Sequence, residues 1–234
     1  MSSTTRGARD ALTCAANALL AVVLAPACAA CARVLEHPLD GPVCPLCWAS
    51  IAPLTSRRFE TNLVEIGRSA GDYEGALKEI IHAFKYEGRR TLARRLGRMM
   101  CEAGTDVLAG ARCTVPVPLH PWRRMRRGFN QAADLASIIG LPVERALWRT
   151  RATLSQTGLT AAARRRNVRG AFRLSPLLSR RAFRLHIVDG IVVLVDDVRT
   201  TGATLDACAR VLKEAGACEV RALTVARANV RERR

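Results

Sequence analysis

Aromatic side chains are few in this 234-residue chain: three Trp, two Tyr and five Phe, 4% of all residues. Hydrophobic residues still make up 49%. That excludes a disordered chain and calls for an aliphatic core of Ala, Leu and Val. Lysine is nearly missing, with Lys78, Lys85 and Lys213 alone, yet the net charge is +17. The positive charge is therefore almost all arginine. Internal repeats and low-complexity tracts are lacking. Apart from the N-terminal segment, so are apolar runs near 18 residues, which excludes a further membrane-spanning helix.

Guanidinium groups are planar and donate hydrogen bonds in a fork that fits phosphate. The balance suits a polyanion, either nucleic acid or a phosphate-rich small molecule. For any single arginine, a solvated surface position is an equal reading.

The stretch Ala11–Ala32 carries no charge and follows Arg6, Arg9 and Asp10. Small residues around Ala25 and Ala27 fit a secretory signal as one reading. Thr13 and Asn17 interrupt the run, however, and cleavage would leave a metal-type cysteine cluster beside a domain of intracellular character. The expectation is a helix over residues 9–25, ended by Pro26 and lying on the body of a cytoplasmic protein.

Three parts are expected: an N-terminal helix (1–27), a Pro- and Cys-rich unit (28–60) and a main domain (61–234). In the main domain the apolar periodicity predicts helices over Tyr73–Tyr86, Thr91–Ala103, Asn130–Ile139, Ala161–Val168 and Gly202–Ala215. Strands are expected at Cys113–Leu119, Ile191–Val195 and Val220–Val225. Five consecutive apolar residues at Ile191–Val195 suit a strand covered on both faces. The alternation gives an α/β fold with a parallel sheet flanked by helices.

Cys28-x-x-Cys31 and Cys44-x-x-Cys47 stand twelve residues apart. Two such pairs can close a tetrahedral four-cysteine site for structural Zn²⁺, leaving no open position for catalysis. Two disulfides or a redox-active pair are the rival readings. An intracellular setting argues against structural disulfides.

The strongest signal is Ile191–Thr204, IVVLVDDVRTTGAT. A buried strand leads into Asp196 and Asp197, then Val198, Arg199, Thr200, Thr201, Gly202, Ala203 and Thr204, then a helix. Ligands of open α/β sheets bind beyond the carboxyl ends of strands. A helix N-terminus offers unpaired N–H groups to an anion. Gly202 allows close backbone approach. Adjacent carboxylates accept hydrogen bonds from a vicinal diol and help orient Mg²⁺ through water. Asp196 and Asp197 are thus the candidate catalytic residues of a site for a ribose 5-phosphate.

Two arginine-rich segments stand beside it. Val115–Ala136 carries Arg123, Arg124, Arg126 and Arg127 at a strand end, a candidate loop for a diphosphate leaving group. Gln156–Phe172 carries Gln156, Arg164, Arg165, Arg166 and Arg169. It reads equally as a mobile lid over diphosphate or as a helix face for nucleic acid backbone.

The Ile191–Thr204 stretch resembles the motif with which type I phosphoribosyltransferases bind 5-phosphoribosyl diphosphate (PRPP). Arg199 stands where that motif is often apolar. The resemblance implies that Asp196 and Asp197 bind the ribose hydroxyls and that Thr200 to Thr204 wrap the 5-phosphate. PVPLH…RRGFNQ, QTGL…RxxNV…AF, the FKYEG at Phe84–Gly88 and the four-cysteine unit are similar to the ComF family of competence-associated proteins over about residues 26–228. That resemblance implies a type I phosphoribosyltransferase-like domain behind a small zinc ribbon. It also implies a part in DNA uptake during natural transformation, with single-stranded DNA and a helicase-like partner. Three functions stay open: a PRPP- and Mg²⁺-dependent transferase in that process, a non-catalytic sensor of PRPP or nucleotide that binds single-stranded DNA, and a nucleotide-salvage enzyme. Trp122, Phe129 and Phe172 are the aromatic candidates for base stacking.

Overall fold

The structure, a computed structural model, describes residues 12–20, 24–52, 58–119, 122, 125, 127–150 and 170–228. Its contacts divide the chain into two units. One holds the residues up to Ala52 together with Glu74–Leu92. The other holds Pro53–Tyr73 and the chain from Ala93 onward.

The larger unit is built on a five-stranded sheet of β1 (Arg58–Phe59), β2 (Ile66–Asp72), β3 (Cys113–Pro116), β6 (Ile191–Arg199) and β7 (Glu219–Arg227). The order is β1-β2-β7-β6-β3. The four strands from β2 to β3 run parallel, and β1 is antiparallel on the edge. A parallel sheet needs cover on both faces. The central strands show it: Val192 to Val195 and Val220, Ala222, Leu223, Val225 and Ala226 are fully buried. Helix α6 (Ala203–Glu214) buries Leu205, Cys208, Ala209 and Leu212 into one cluster with Val192, Leu194, Val220 and Ala222. An antiparallel ribbon of β4 (Leu147–Arg149) and β5 (Phe172–Leu174) contributes Leu147 and Phe172 to the same cluster. Helices α3 (Leu92–Ala103), α4 (Thr105–Leu108) and α5 (Gln131–Ala136) complete the described helices of this part of the chain, with a short helical stretch over Arg180–Ile187.

Two strands run further than their apolar cores. β6 continues past Val195 because β7 keeps pairing with it, Asp196 with Thr224, Val198 with Ala226 and Arg199 with Arg227. The two acids therefore belong to the strand itself. β2 has no apolar run in its sequence, IGRSAGD. Its glycines make room instead: a Cβ on Gly67 would fall 2.3 Å from the Phe59 ring. The helix expected from Tyr73 starts at Gly75, because the Tyr73 amide donates to the Arg227 carbonyl at 2.8 Å and extends the sheet edge. The helix expected over Asn130–Ile139 is confined to Gln131–Ala136, capped by Asn130, whose Oδ1 accepts from the Ala132 amide.

In the smaller unit, α1 (Pro45–Ala49) takes Cys44 as its N-cap and carries Cys47 within it. Helix α2 (Gly75–Tyr86) buries Leu77, Ile80, Ile81, Ala83 and Phe84. The expected N-terminal helix is present at residues 12–20. Its inward residue is Asn17, whose Oδ1 accepts from the Leu39 amide at 3.0 Å, while Leu12 and Leu19 face solvent. Among the described residues of this helix the most buried side chain is thus a polar one. No helix among the described residues is long and apolar enough to cross a membrane.

Candidate functional site

β6 carries Asp196 and Asp197 to the carboxyl edge of the sheet, both half-buried. The Asp196 Oδ1 accepts from the Asp197 amide at 2.8 Å, which fixes that carboxylate against its own backbone. Beyond Arg199 the chain turns through Thr200 and Thr201 into Gly202, the N-cap of α6, at φ +78° in the left-handed region. Glycine enters that region without a Cβ penalty. A Cβ there would also stand 2.8 Å from the Thr61 methyl. Gly202 itself has no side chain with which to cap α6. The Thr201 hydroxyl reaches the Ala203 amide only at 3.5 Å, at the limit of a hydrogen bond. The α6 N-terminus thus presents amide donors and a positive dipole end beside threonine hydroxyls, with two carboxylates a few residues upstream. Such an arrangement can hold an anion at the turn and a hydroxyl-bearing ring at the acids.

Several residues of this site escaped the sequence. Phe59 lies under Arg199, whose guanidinium carbon is 4.1 Å from the ring centroid, a cation–π distance. Burial lowers the pKa of Arg199 from the ordinary arginine value. Its Nε is buried without a hydrogen-bond partner among the described residues. The Asp206 carboxylate in the first turn of α6 accepts from the Thr61 hydroxyl at 2.5 Å and from the Leu63 amide at 3.1 Å. Arg149 is buried, with its guanidinium 5.3 Å from the Phe172 centroid. Cys208, fully enclosed, feels both sides: burial first, then the Asp196 carboxylate, push its thiol up, and Arg149 offsets this. None of these contacts has a local signature, because each joins segments far apart in sequence.

Of the expected diphosphate loop, Arg127 is described. Its Nη1 donates to the Gln131 Oε1 at 3.1 Å. Arg123, Arg124, Arg126, Gln156, Arg164, Arg165, Arg166 and the helix expected at Ala161–Val168 lie outside the described residues. In the RGFNQ segment Phe129 and Gln131 are buried, and the Asn130 Nδ2 donates to the Val117 carbonyl. Phe129 and Phe172, both below a tenth exposed, cannot stack on bases from solvent, whereas Trp122 is 59% exposed. His186, given no role by the sequence, bonds Glu144 through Nδ1 at 2.7 Å.

The four cysteines of the smaller unit meet. The sulfurs of Cys28, Cys31, Cys44 and Cys47 lie within 4.8 Å of one another, a group that could hold a metal ion. Cys28 and Cys47 are 3.9 Å apart, as are Cys31 and Cys44, and all four are free thiols. Burial raises the Cys28 thiol, but the amide donors of Cys44 and Ala30 outweigh it and bring it down to about 6. Burial and the neighbouring sulfurs push Cys47 up.

A family model, the phosphoribosyl transferase domain, matches residues 125–234. Strand, acid pair, glycine turn and helix sit within that match, and the fold is of the type I phosphoribosyltransferase-like class. Competence protein F of Haemophilus influenzae is 33% identical over 168 residues, 68% of this chain and 71% of that protein. DNA utilization protein YhgH of Escherichia coli K12 is 35% identical over 169 residues, 65% of this chain and 67% of that protein. Competence protein ComFC of Bacillus subtilis is 28% identical over 214 residues, 86% of this chain and 83% of that protein. The chain belongs to the ComF family.

Proposed function

We propose that the chain binds PRPP at the carboxyl edge of β6 and acts as a phosphoribosyltransferase in DNA uptake. One observation carries this reading: two adjacent acids on a strand end lead through a left-handed glycine into a helix N-terminus whose N-cap has no side chain. Asp196 and Asp197 accept hydrogen bonds from the ribose hydroxyls. The amides and hydroxyls from Thr200 to Thr204, with Gly202 and Ala203, hold the 5-phosphate. Arg199 adds charge beside them, kept in place by the Phe59 ring. The bond between C1 and diphosphate breaks as an acceptor attacks C1, and preorganised donors stabilise the departing charge. Arg127, with Arg123, Arg124, Arg126, Gln156 and Arg164 to Arg166, serves the diphosphate. Mg²⁺, when bound, would neutralise diphosphate charge, and the half-buried acid pair would help orient it through water.

In the smaller unit, the cysteines hold structural Zn²⁺. Tetrahedral zinc with bonds of about 2.3 Å places its sulfurs roughly 3.8 Å apart. The pairs at 3.9 Å fit that spacing. Four thiolates close the metal to substrate, so its contribution is to folding.

DNA uptake enters through the names of the relatives, and the +17 charge suits contact with single-stranded DNA and a helicase-like partner. Calorimetric titration of PRPP with Mg²⁺, followed by assay of diphosphate release over a panel of nitrogenous acceptors, tests the reading. PRPP binding with turnover supports a transferase. Binding without turnover on any acceptor, together with salt-dependent binding of single-stranded DNA, favours a sensor.

A further inference from the structure

We infer that residues Phe59 to Leu63 form a strap that holds the phosphate turn in its binding shape, with Thr61 and Asp206 as positioning residues. This rests on the reading of Asp196 to Thr204 as the PRPP site. The strap touches that turn at three successive places. Phe59 supports Arg199 at the end of β6, 4.1 Å from ring centre to guanidinium. The Thr61 methyl closes the space over Gly202, where a Cβ would stand 2.8 Å away. The Thr61 hydroxyl and the Leu63 amide donate to Asp206 in the first turn of α6. Strand end, cap and first helical turn are thus each fixed to one short segment.

The strap is itself braced. Thr61 and Val64 exchange hydrogen bonds, Thr61 amide to Val64 carbonyl at 3.1 Å and Val64 amide to Thr61 hydroxyl at 3.2 Å. Val64 is buried in the α6 cluster. Glu65 then accepts from the Val220 amide and pairs with Lys213 at the far end of α6.

The physical consequence is preorganisation. Backbone amides bind phosphate well only if they already point at it, and a glycine turn left alone samples other conformations. Asp206 also carries a negative charge within the first turn of the helix whose amides face the anion. Two donors from the strap engage that carboxylate and offset its charge. The contacts of Thr61 are with Gly202 and Asp206, so it acts through the turn.

The test is PRPP affinity by calorimetry, with kinetics where turnover is found. Thr61→Val keeps the shape and removes the hydroxyl. It raises the dissociation constant for PRPP about tenfold, the size of one lost hydrogen bond, and raises KM with little change in kcat. Ribose 5-phosphate, which retains the group held by the turn, loses affinity by the same factor. Thr61→Ser, which returns the hydroxyl but not the methyl, restores most of both. Asp206→Ala removes that bond together with the one from the Leu63 amide, so its loss is at least as large, and adding Thr61→Val to it costs nothing further. Wild-type PRPP affinity in both single variants overturns the strap while leaving the site standing. A wild-type chain that binds no PRPP overturns the site reading and the strap with it.

Discussion

The hydroxyls of Ser69 and Thr224 meet at 2.7 Å in the interior of the sheet, on β2 and β7, 2% and 0% exposed. Thr224 is paired in turn with Asp196 on β6. A polar row thus crosses three strands near the carboxyl edge of the sheet. Two buried hydroxyls that satisfy one another are tolerated, whereas either one alone is not. Thr224→Val conserves shape and leaves Ser69 without its partner. The expected loss is about 1–3 kcal/mol of folding stability, read as a lower midpoint in urea. Ser69→Ala combined with Thr224→Val recovers part of that loss. Additive losses in the double variant would show that the pair does not matter.

The cysteine cluster makes a compositional prediction. Purified chain carries one equivalent of zinc, measured by elemental analysis, and Cys44→Ser carries much less. Chelation lowers the thermal midpoint of the wild type and leaves that of Cys44→Ser unchanged, because metal binding is coupled to folding of this small unit. A wild-type chain with no zinc and two disulfides would reverse the assignment.

Acid sensitivity follows from Glu219. Hydrogen bonds from Arg221, at 2.7 and 2.9 Å, hold this carboxyl below the ordinary glutamate range. A carboxyl depressed in the folded state adds stability above its unfolded value and loses that contribution as pH falls through the folded value. The wild type therefore loses stability as pH drops below about 4. Glu219→Gln is weaker near neutrality and shows a flatter acid arm in denaturation curves taken across pH. Parallel arms in the two proteins would remove Glu219 from the account.

What the sequence could show was local. The run Ile191 to Val195, the acids after it, the glycine turn and α6 are contiguous, so the anion-site pattern was readable without tertiary contacts. The paired C-x-x-C spacing was readable for the same reason. Phe59, Thr61 and Asp206 were not, since the bond between the latter two spans 145 positions. β2 and the ribbon of β4 and β5 were missed because their residues are short, glycine-rich or arginine-bearing. They are strands only because neighbours pair with them. Arg149 has the composition of a surface residue and the burial of a core one. The Phe172 ring lies beneath its guanidinium, a contact that no local pattern announces.

The central claim is that β6 ends in a PRPP site. Its most direct measurement is calorimetric titration of PRPP, with Mg²⁺ present, into the wild type and into Asp196→Asn/Asp197→Asn. Removing both charges takes away the acceptors for the ribose diol while leaving strand pairing intact. The account predicts saturable one-to-one binding to the wild type and at least a hundredfold loss in the double variant, about 2.7 kcal/mol, with an unchanged thermal midpoint. Equal affinity in the two proteins, or no binding to the folded wild type, would contradict it.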